Sequence, residues 1–300
     1  MRAVALVAVA SLAGCAASAE SHENAAAVST AATDRALEQI EAIEERLGGR
    51  LGVSLVDGSG QALLTHRGDE RFAMCSTFKA PLAAAIMLEV EQGRLSLEQQ
   101  IEFTQADVVP HAPMIERALE GQTEASRPVD WLVLAAMRAS DNSAANILLD
   151  RIGGPEGMTQ FYRNHGDGVT RLDRREPELN ENSPGDPRDT TSPLAMAQLI
   201  RHVMLGDAVH PGLRAILVRH MIRTDTGMSR IRAGLPEGWV VGDKTGTCGS
   251  AYNDVAVFWA ERDRPYVLSI YYDRPEAESE EAQAAMAQVG ALAAEIVRQP

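Results

Sequence analysis

Of the 28 basic residues in this chain, only Lys79 and Lys244 are lysine. Arginine keeps its proton at any working pH, whereas a lysine amine can shed one or act as a compact ammonium. Both lysines are therefore candidates for chemistry. Lys79 closes the segment Ser76-Thr77-Phe78-Lys79, ahead of apolar residues with helical spacing from Leu82 to Val90. At a helix start, residues three apart share a face, so the amine can reach the Ser76 hydroxyl, and free N–H groups of the first turn favour developing negative charge. The pair reads as a nucleophile with a base in reach. The plain alternative is a Ser cap beside a solvated Lys. Pro81 fits a helix that starts only a few residues earlier.

Two more polar segments interrupt apolar patterns. Ser140-Asp141-Asn142 follows a helical stretch, where small hydrogen-bonding side chains make a turn or cap; read functionally, Ser140 is a proton relay and Asn142 recognises an amide. Lys244-Thr245-Gly246-Thr247 ends a run of strand-forming residues. There Gly246 leaves room for a ligand at the strand edge, and Lys244 offers an ammonium to a carboxylate; the alternative is a strand leaving into a turn.

Ser-x-x-Lys, Ser-Asp-Asn and Lys-Thr-Gly in this order resemble the motif set of class A serine β-lactamases and penicillin-binding proteins. The segment Glu176-Pro177-Glu178-Leu179-Asn180, within a Pro-rich charged stretch over 171–191, resembles the omega loop of the β-lactamases, which penicillin-binding proteins lack. The resemblance implies a β-lactam substrate and a two-step hydrolysis. Ser76 is then the nucleophile, and Lys79, or Glu176 acting through a water, is the base. Ser140 protonates the departing nitrogen, Asn142 and Asn180 face the substrate and the water, and backbone N–H groups of Ser76 and Thr247 form an oxyanion hole. Lys244, Thr245, Gly246, Thr247 and Arg230 are implied to hold the substrate carboxylate, with His111 at the cleft mouth. A cis bond at Glu176-Pro177 and an ion pair between Arg174 and Asp189 are further implications. So is a disulfide between Cys75 and Cys248, which resembles a carbapenem-hydrolysing subgroup; the alternative is two buried free thiols. The resemblance implies no metal and no cofactor. It departs from the family at His111, where an aromatic is common, and at 120–128, which is longer than usual and is expected to be a surface loop. A penicillin-binding D-alanyl-D-alanine peptidase and a non-catalytic β-lactam sensor share part of the motif set, but both stall as acyl-enzymes.

A chain of 300 residues with net charge −14 and 45% hydrophobic content is long and apolar enough for a large folded core. Its acidity argues against nucleic acid as a partner, since phosphate binding needs clustered cations. The expected fold class is α+β: a five-stranded antiparallel sheet flanked by terminal helices, with an all-helical domain inserted. Leu51 to Val56 and Ala62 to Thr65 read as a hairpin; Val240 to Asp243, Val255 to Trp259 and Val267 to Tyr271 as three further strands. Residues 34–70 and 220–300 make the expected sheet domain, and 71–219 the helical one, with helices at Trp131 to Met137, Ala144 to Ile152 and Leu194 to Met204. The first helix is expected to start at the Thr33-Asp34 cap pair with Leu37, Ile40, Ile43 and Leu47 on one face, and Glu280 to Val297 forms the last.

Residues 1–15 read as an export signal: Met1-Arg2, an apolar run too short to span a bilayer, then Ser11-Leu12-Ala13-Gly14-Cys15, which resembles a lipobox. Cleavage after Ala17-Ser18-Ala19 is the competing reading. Residues 16–33 hold hardly a large apolar side chain and are expected to be a flexible tether. The chain is then periplasmic and monomeric, tethered to a bacterial membrane through lipidated Cys15, and the two remaining cysteines meet an oxidising compartment. Cys15→Ala is expected to move the protein from the membrane to the soluble fraction of the exporting cell; a wild type already wholly soluble rules out the anchor.

Overall fold

The structure is a computed structural model that describes residues 31–299, so the expected signal 1–15 with Cys15, and residues 16–30 of the tether, lie outside the described residues. The strands, in chain order, are β1 (Arg50–Asp57), β2 (Ala62–His66), β3 (Phe72–Ala73), β4 (Gln100–Thr104), β5 (Glu124–Pro128), β6 (Thr190–Thr191), β7 (Val240–Cys248), β8 (Ala251–Glu261) and β9 (Arg264–Asp273). The helices are α1 over 31–47, then α2 (Lys79–Glu91), α3 (Pro113–Ala118), α4 (Val129–Arg138), α5 (Asn142–Asp150), α6 (Gly154–Asn164), α7 (Pro193–Met204), α8 (Pro211–Ile222), α9 (Ile231–Gly234) and α10 (Ser279–Val297).

The main sheet runs β2-β1-β9-β8-β7, antiparallel throughout. Its two-residue side-chain period divides the strands between two cores. Leu51, Val53 and Leu55 of β1, Leu268, Ile270 and Tyr272 of β9, and Ala256 and Phe258 of β8 pack with α1 and α10. Val56, Val255, Val257, Val267 and Tyr271 turn the other way and join the core of α2, α4, α5 and α7. Both faces are covered, which is why these strands read as nearly unbroken apolar runs.

Several expectations need adjusting. Residues 31–33 are already helical, with Ala32 buried on the sheet and the Thr33 hydroxyl donating to the Leu63 carbonyl, so the expected tether does not extend to residue 33 and Thr33-Asp34 is not the cap. Ala32 and Ala36 continue the Ile40, Ile43, Leu47 face by one more turn, a signal carried by residues too small to stand out. Strand β7 runs on through Lys244 to Cys248, pairing Thr245 with Asp254 and Thr247 with Tyr252, rather than ending before the motif. The segment Glu124–Pro128 is not a loop: it is β5, and pairs with β4, whose Ile101 and Phe103 point inward between exposed neighbours. A second short pair, β3 with β6, joins the chain just before Ser76 to the end of the 171–191 stretch.

The corner between α1 and the sheet is tied by Glu44. Burial raises the pKa of its carboxyl, but hydrogen bonds from Arg67, from His66 and from the Leu51 N–H outweigh that and hold it at about 2, against a usual 4.5. A carboxyl with a depressed pKa stabilises the fold at pH above its unfolded value and loses that contribution as pH falls through the folded one. Glu44→Gln is therefore expected to lower stability at pH 7 by about 1–3 kcal/mol. It should also remove part of the acid destabilisation that wild type shows between about pH 4.5 and pH 2, as read by thermal melts across that window.

Candidate active site

The nucleophile segment is a single 3-10 turn, Cys75–Phe78, running into α2 at Lys79. The missing side chain of Gly246 lets this turn lie directly on β7. A Cβ there would stand 2.7 Å from the Met74 carbonyl oxygen and 3.1 Å from Thr77 Cγ2. Gly246 thus makes room for the protein's own backbone, and not for a ligand as the motif suggested. Cys75 and Cys248 are joined by a disulfide, with Cα atoms 5.7 Å apart, which ties the same turn to the end of the strand.

Lys79 is fully buried at the centre of the site. Its Nζ lies 2.9 Å from Ser76 Oγ, 2.8 Å from the Ser140 carbonyl oxygen, 2.9 Å from Glu176 Oε1, and within hydrogen-bond reach of Asn142 Oδ1 and Ser140 Oγ. Burial lowers the amine's pKa and the charge of Glu176 works against that. Glu176 reaches Lys79 because the loop is pinned at both ends. Arg174 Nε donates to Asp189 Oδ2 at 2.6 Å, and Asn146 holds the backbone of Glu176, its Nδ2 donating to the Glu176 carbonyl at 2.8 Å and its Oδ1 accepting from the Glu176 N–H at 3.0 Å. The Glu176-Pro177 bond is cis, as implied by the resemblance. Asn180 donates to Glu176 Oε2.

The Ser-Asp-Asn segment divides its labour. Asp141 is a cap, as the plain reading had it: Oδ1 accepts from Ala144 N at the start of α5 and Oδ2 from Met114 and Ile115 at the start of α3. Ser140 and Asn142, on either side, point at Lys79. Ser140 has φ +55°, a left-handed conformation for a residue with a side chain, as do Cys75 (+47°), His111 (+64°) and Asp189 (+57°). Such residues cost of order 1–3 kcal/mol each and cluster where a site is built.

Opposite lies a cleft of about 510 Å³ lined by Ser76, His111, Ser140, Asn142, Asn180 and, along the far wall, Thr226, Gly227, Arg230, Thr245, Thr247 and Gln283. Lys244 is not in that wall. Its Nζ sits behind it, fully buried, donating to Ser140 Oγ at 3.0 Å and to the Thr245 carbonyl at 2.8 Å. Burial first, and Lys79 second, push its pKa down to about 7. Arg230 donates through Nη1 to the carbonyls of Gly246 and Asn253, through Nη2 to Thr247 Oγ1 at 2.7 Å, and through Nε to Gln283 Oε1 at 3.3 Å. A guanidinium has five N–H donors, so one on Nη2 remains for the cleft.

The profile of the β-lactamase enzyme family matches residues 35–297. β-Lactamase Toho-1 of Escherichia coli is 45% identical over 244 residues, covering 81% of this chain and 82% of its own, and β-lactamase OXY-2 of Klebsiella oxytoca is 44% identical over 248 residues, covering 82% and 84%. Among solved structures, a class A β-lactamase reconstructed as the last common ancestor of Gram-negative bacteria superposes with TM-score 0.83 at 44% identity, covering 87% of this chain and 99% of that one. A β-lactamase from Xanthomonas campestris superposes with TM-score 0.84 at 42% identity, covering 89% and 98%. The chain belongs to the class A β-lactamases.

Sequence reasoning missed several parts of this β-lactamase's site. Thr226, Gly227 and Gln283 line the cleft without carrying any motif, and Asn146 and Asn253 act on it from behind. Only Asn146 left a trace, as a polar residue inside an apolar helical stretch. Beneath Arg230 lie two buried carboxyls: burial pushes both Asp254 and Asp243 upward, Asp254 further by its neighbour's charge, while Arg232 pulls Asp243 back. Among the described residues no group of three or more His, Cys, Asp and Glu is placed to hold a metal ion.

The buried Lys244 gives the site a pH signature. A lysine at about 7 is an ammonium below that pH and a neutral amine above it. For an anionic β-lactam, KM is expected to climb several-fold as pH rises from about 6 to 9, with the climb absent in Lys244→Arg, whose charge persists. A KM that is flat in the wild type disproves the part assigned to this amine.

Proposed function

We propose that this chain opens the amide bond of penicillins, cephalosporins and carbapenems through an acyl-enzyme on Ser76. The observation that carries the reading is a single buried amine, Lys79 Nζ, within 2.9 Å of both the Ser76 hydroxyl and the Glu176 carboxylate. Proton movement from Ser76 toward Glu176, directly through Lys79 or by a water between Glu176 and Asn180, generates the nucleophile. Backbone N–H groups of Ser76 and Thr247 receive the oxyanion. Ser140, between the two lysines, passes a proton to the departing nitrogen. Thr245, Thr247 and the remaining N–H of Arg230 hold the substrate carboxylate, with the charge of Lys244 behind them. Glu176 then activates water against the ester. His111 sits at the mouth of the cleft, where it meets the substrate side chain.

Carbapenem turnover is the finer part of the proposal. Its support is the Cys75–Cys248 disulfide, which joins the residue before the nucleophile to the residue after Thr247, so that both oxyanion donors are held by one covalent tie. Export to the periplasm, with or without a lipid anchor at Cys15, fits that oxidised cysteine pair.

Glu176→Gln decides between a hydrolase and a protein that only binds β-lactams. The amide cannot take a proton from water, so this variant is expected to acylate and then hold a penicillin adduct, visible as an added mass, at least a hundredfold longer than wild type. Wild type should release penicillin, a chromogenic cephalosporin and a carbapenem as hydrolysed products. A long-lived adduct on wild type with all three points to a peptidase or sensor; one with the carbapenem alone removes only the carbapenem claim.

A further inference from the structure

The nucleophile turn needs a brace. Cys75, immediately before Ser76, is held at φ +47°, a left-handed conformation that is costly for a residue with a side chain and persists only where its surroundings impose it. The disulfide supplies one restraint. A second comes from a residue outside every motif. Asn253, on β8 opposite Gly246, is almost wholly buried, and its Nδ2 donates to the carbonyls of Ala73 at 2.9 Å and Met74 at 3.2 Å, with Cys75 Sγ at 3.5 Å. A primary amide has two N–H donors, and the two carbonyls preceding Cys75 take both. The backbone carbonyl of the same residue accepts from Arg230 Nη1 at 2.6 Å. One residue therefore touches the turn that carries Ser76 and the guanidinium at the far wall of the cleft.

We propose that Asn253 is a positioning residue of this enzyme, whose side-chain amide holds Ser76 on the nucleophile turn at the height of the oxyanion donors and in register with Arg230. The role rests on the reading of Ser76 as nucleophile. Geometry makes Asn253 the only residue on the β7–β8 side, among the described residues, that donates side-chain hydrogen bonds to Ala73 or Met74; Gly246 contributes empty space and Cys248 a sulfur. The amide acts on atom placement, and a misplacement near 1 Å costs about a hundredfold in rate. Substrate binding is affected less, because the bonds from Arg230 to the Gly246 and Asn253 carbonyls run to backbone and survive a change of side chain.

The test compares Asn253→Ser, which keeps one donor, with Asn253→Ala and Asn253→Asp, which keep none, using kcat and KM for a chromogenic cephalosporin below each variant's melting transition. Expected is a kcat that falls in the order of donors lost, Ser above Ala and Asp, by about 10- to 100-fold at the extreme, with KM within about threefold of wild type. Each is then assayed again after disulfide reduction. Two braces on one turn are partly redundant, so reduction should cost the Ala variant a larger factor than it costs wild type. If the Ala variant does not fold, the Ser and Asp pair carries the comparison. A kcat within twofold of wild type in all variants, a Ser variant no better than Asp, or the same fractional loss on reduction in variant and wild type each overturns the role. Wild-type turnover is measured alongside: a wild type that turns over beside unaffected variants defeats the positioning role alone. A wild type without turnover defeats the Ser76 reading and this role with it.

Discussion

A buried lysine amine governs the layout of this protein. Taking an ammonium out of water costs several kcal/mol even after relaxation, so that form is tolerated only with an opposite charge and enough acceptors around it. Lys79 meets that condition with Glu176 as counter-ion and oxygens of Ser76, Ser140 and Asn142 as acceptors. These groups come from three places: the start of α2, the α4–α5 turn and the 171–191 loop. Each must converge within 3 Å or so of one nitrogen, and most of the local structure serves that end. The caps at Asp141, the Arg174–Asp189 pair and the clamp of Asn146 on the Glu176 backbone all fix a partner of Lys79.

The same constraint accounts for three of the strained backbone positions among the described residues. Left-handed residues at Cys75, Ser140 and Asp189 each precede or end a segment that feeds the site. An unstrained chain would let those segments run on as ordinary helix or extended backbone, and the polar atoms would miss the amine. The cost is met by tertiary contacts: the disulfide and Asn253 at Cys75, the two lysines at Ser140, and the Arg174 bond with the β3–β6 pair at Asp189. Strand β7, the edge strand of the main sheet, supplies the opposite wall, with the nucleophile turn packed on it and the disulfide at its end.

Charge is layered across that wall. Arg230 faces the cleft with one free N–H, Lys244 stands behind Ser140 and Thr245, and Asp243 and Asp254 lie deeper. The cations leave a positive potential where an anionic substrate enters a protein whose net charge is −14. The cleft is thus attractive to carboxylates although the molecule as a whole is not.

Much of this was legible in one dimension. Two lysines in an arginine-rich chain marked two of the site's cations, because only a lysine amine can serve as both a base and a compact ammonium; the three motifs and the Glu176 loop named their neighbours. Strands β1, β8 and β9 were legible from nearly continuous apolar runs, since burial on both faces leaves little polar alternation to confuse them. Other features were not. Gly246 looked like space for a ligand, and only the packing of Met74 and Thr77 against it showed otherwise. Glu124–Pro128 became a strand because β4 lies beside it, which no local preference encodes. Asn253 sits in the sequence as one polar residue in a strand; its meaning depends on carbonyls 180 residues away. The sequence by itself determined which chemical groups exist and roughly which elements carry them, because side-chain pKa and apolar periodicity are local properties. Only the tertiary structure decided which groups share one nitrogen, which lysine is hidden behind the wall and which glycine is filled by backbone, because those depend on distances between segments that the order of residues does not contain.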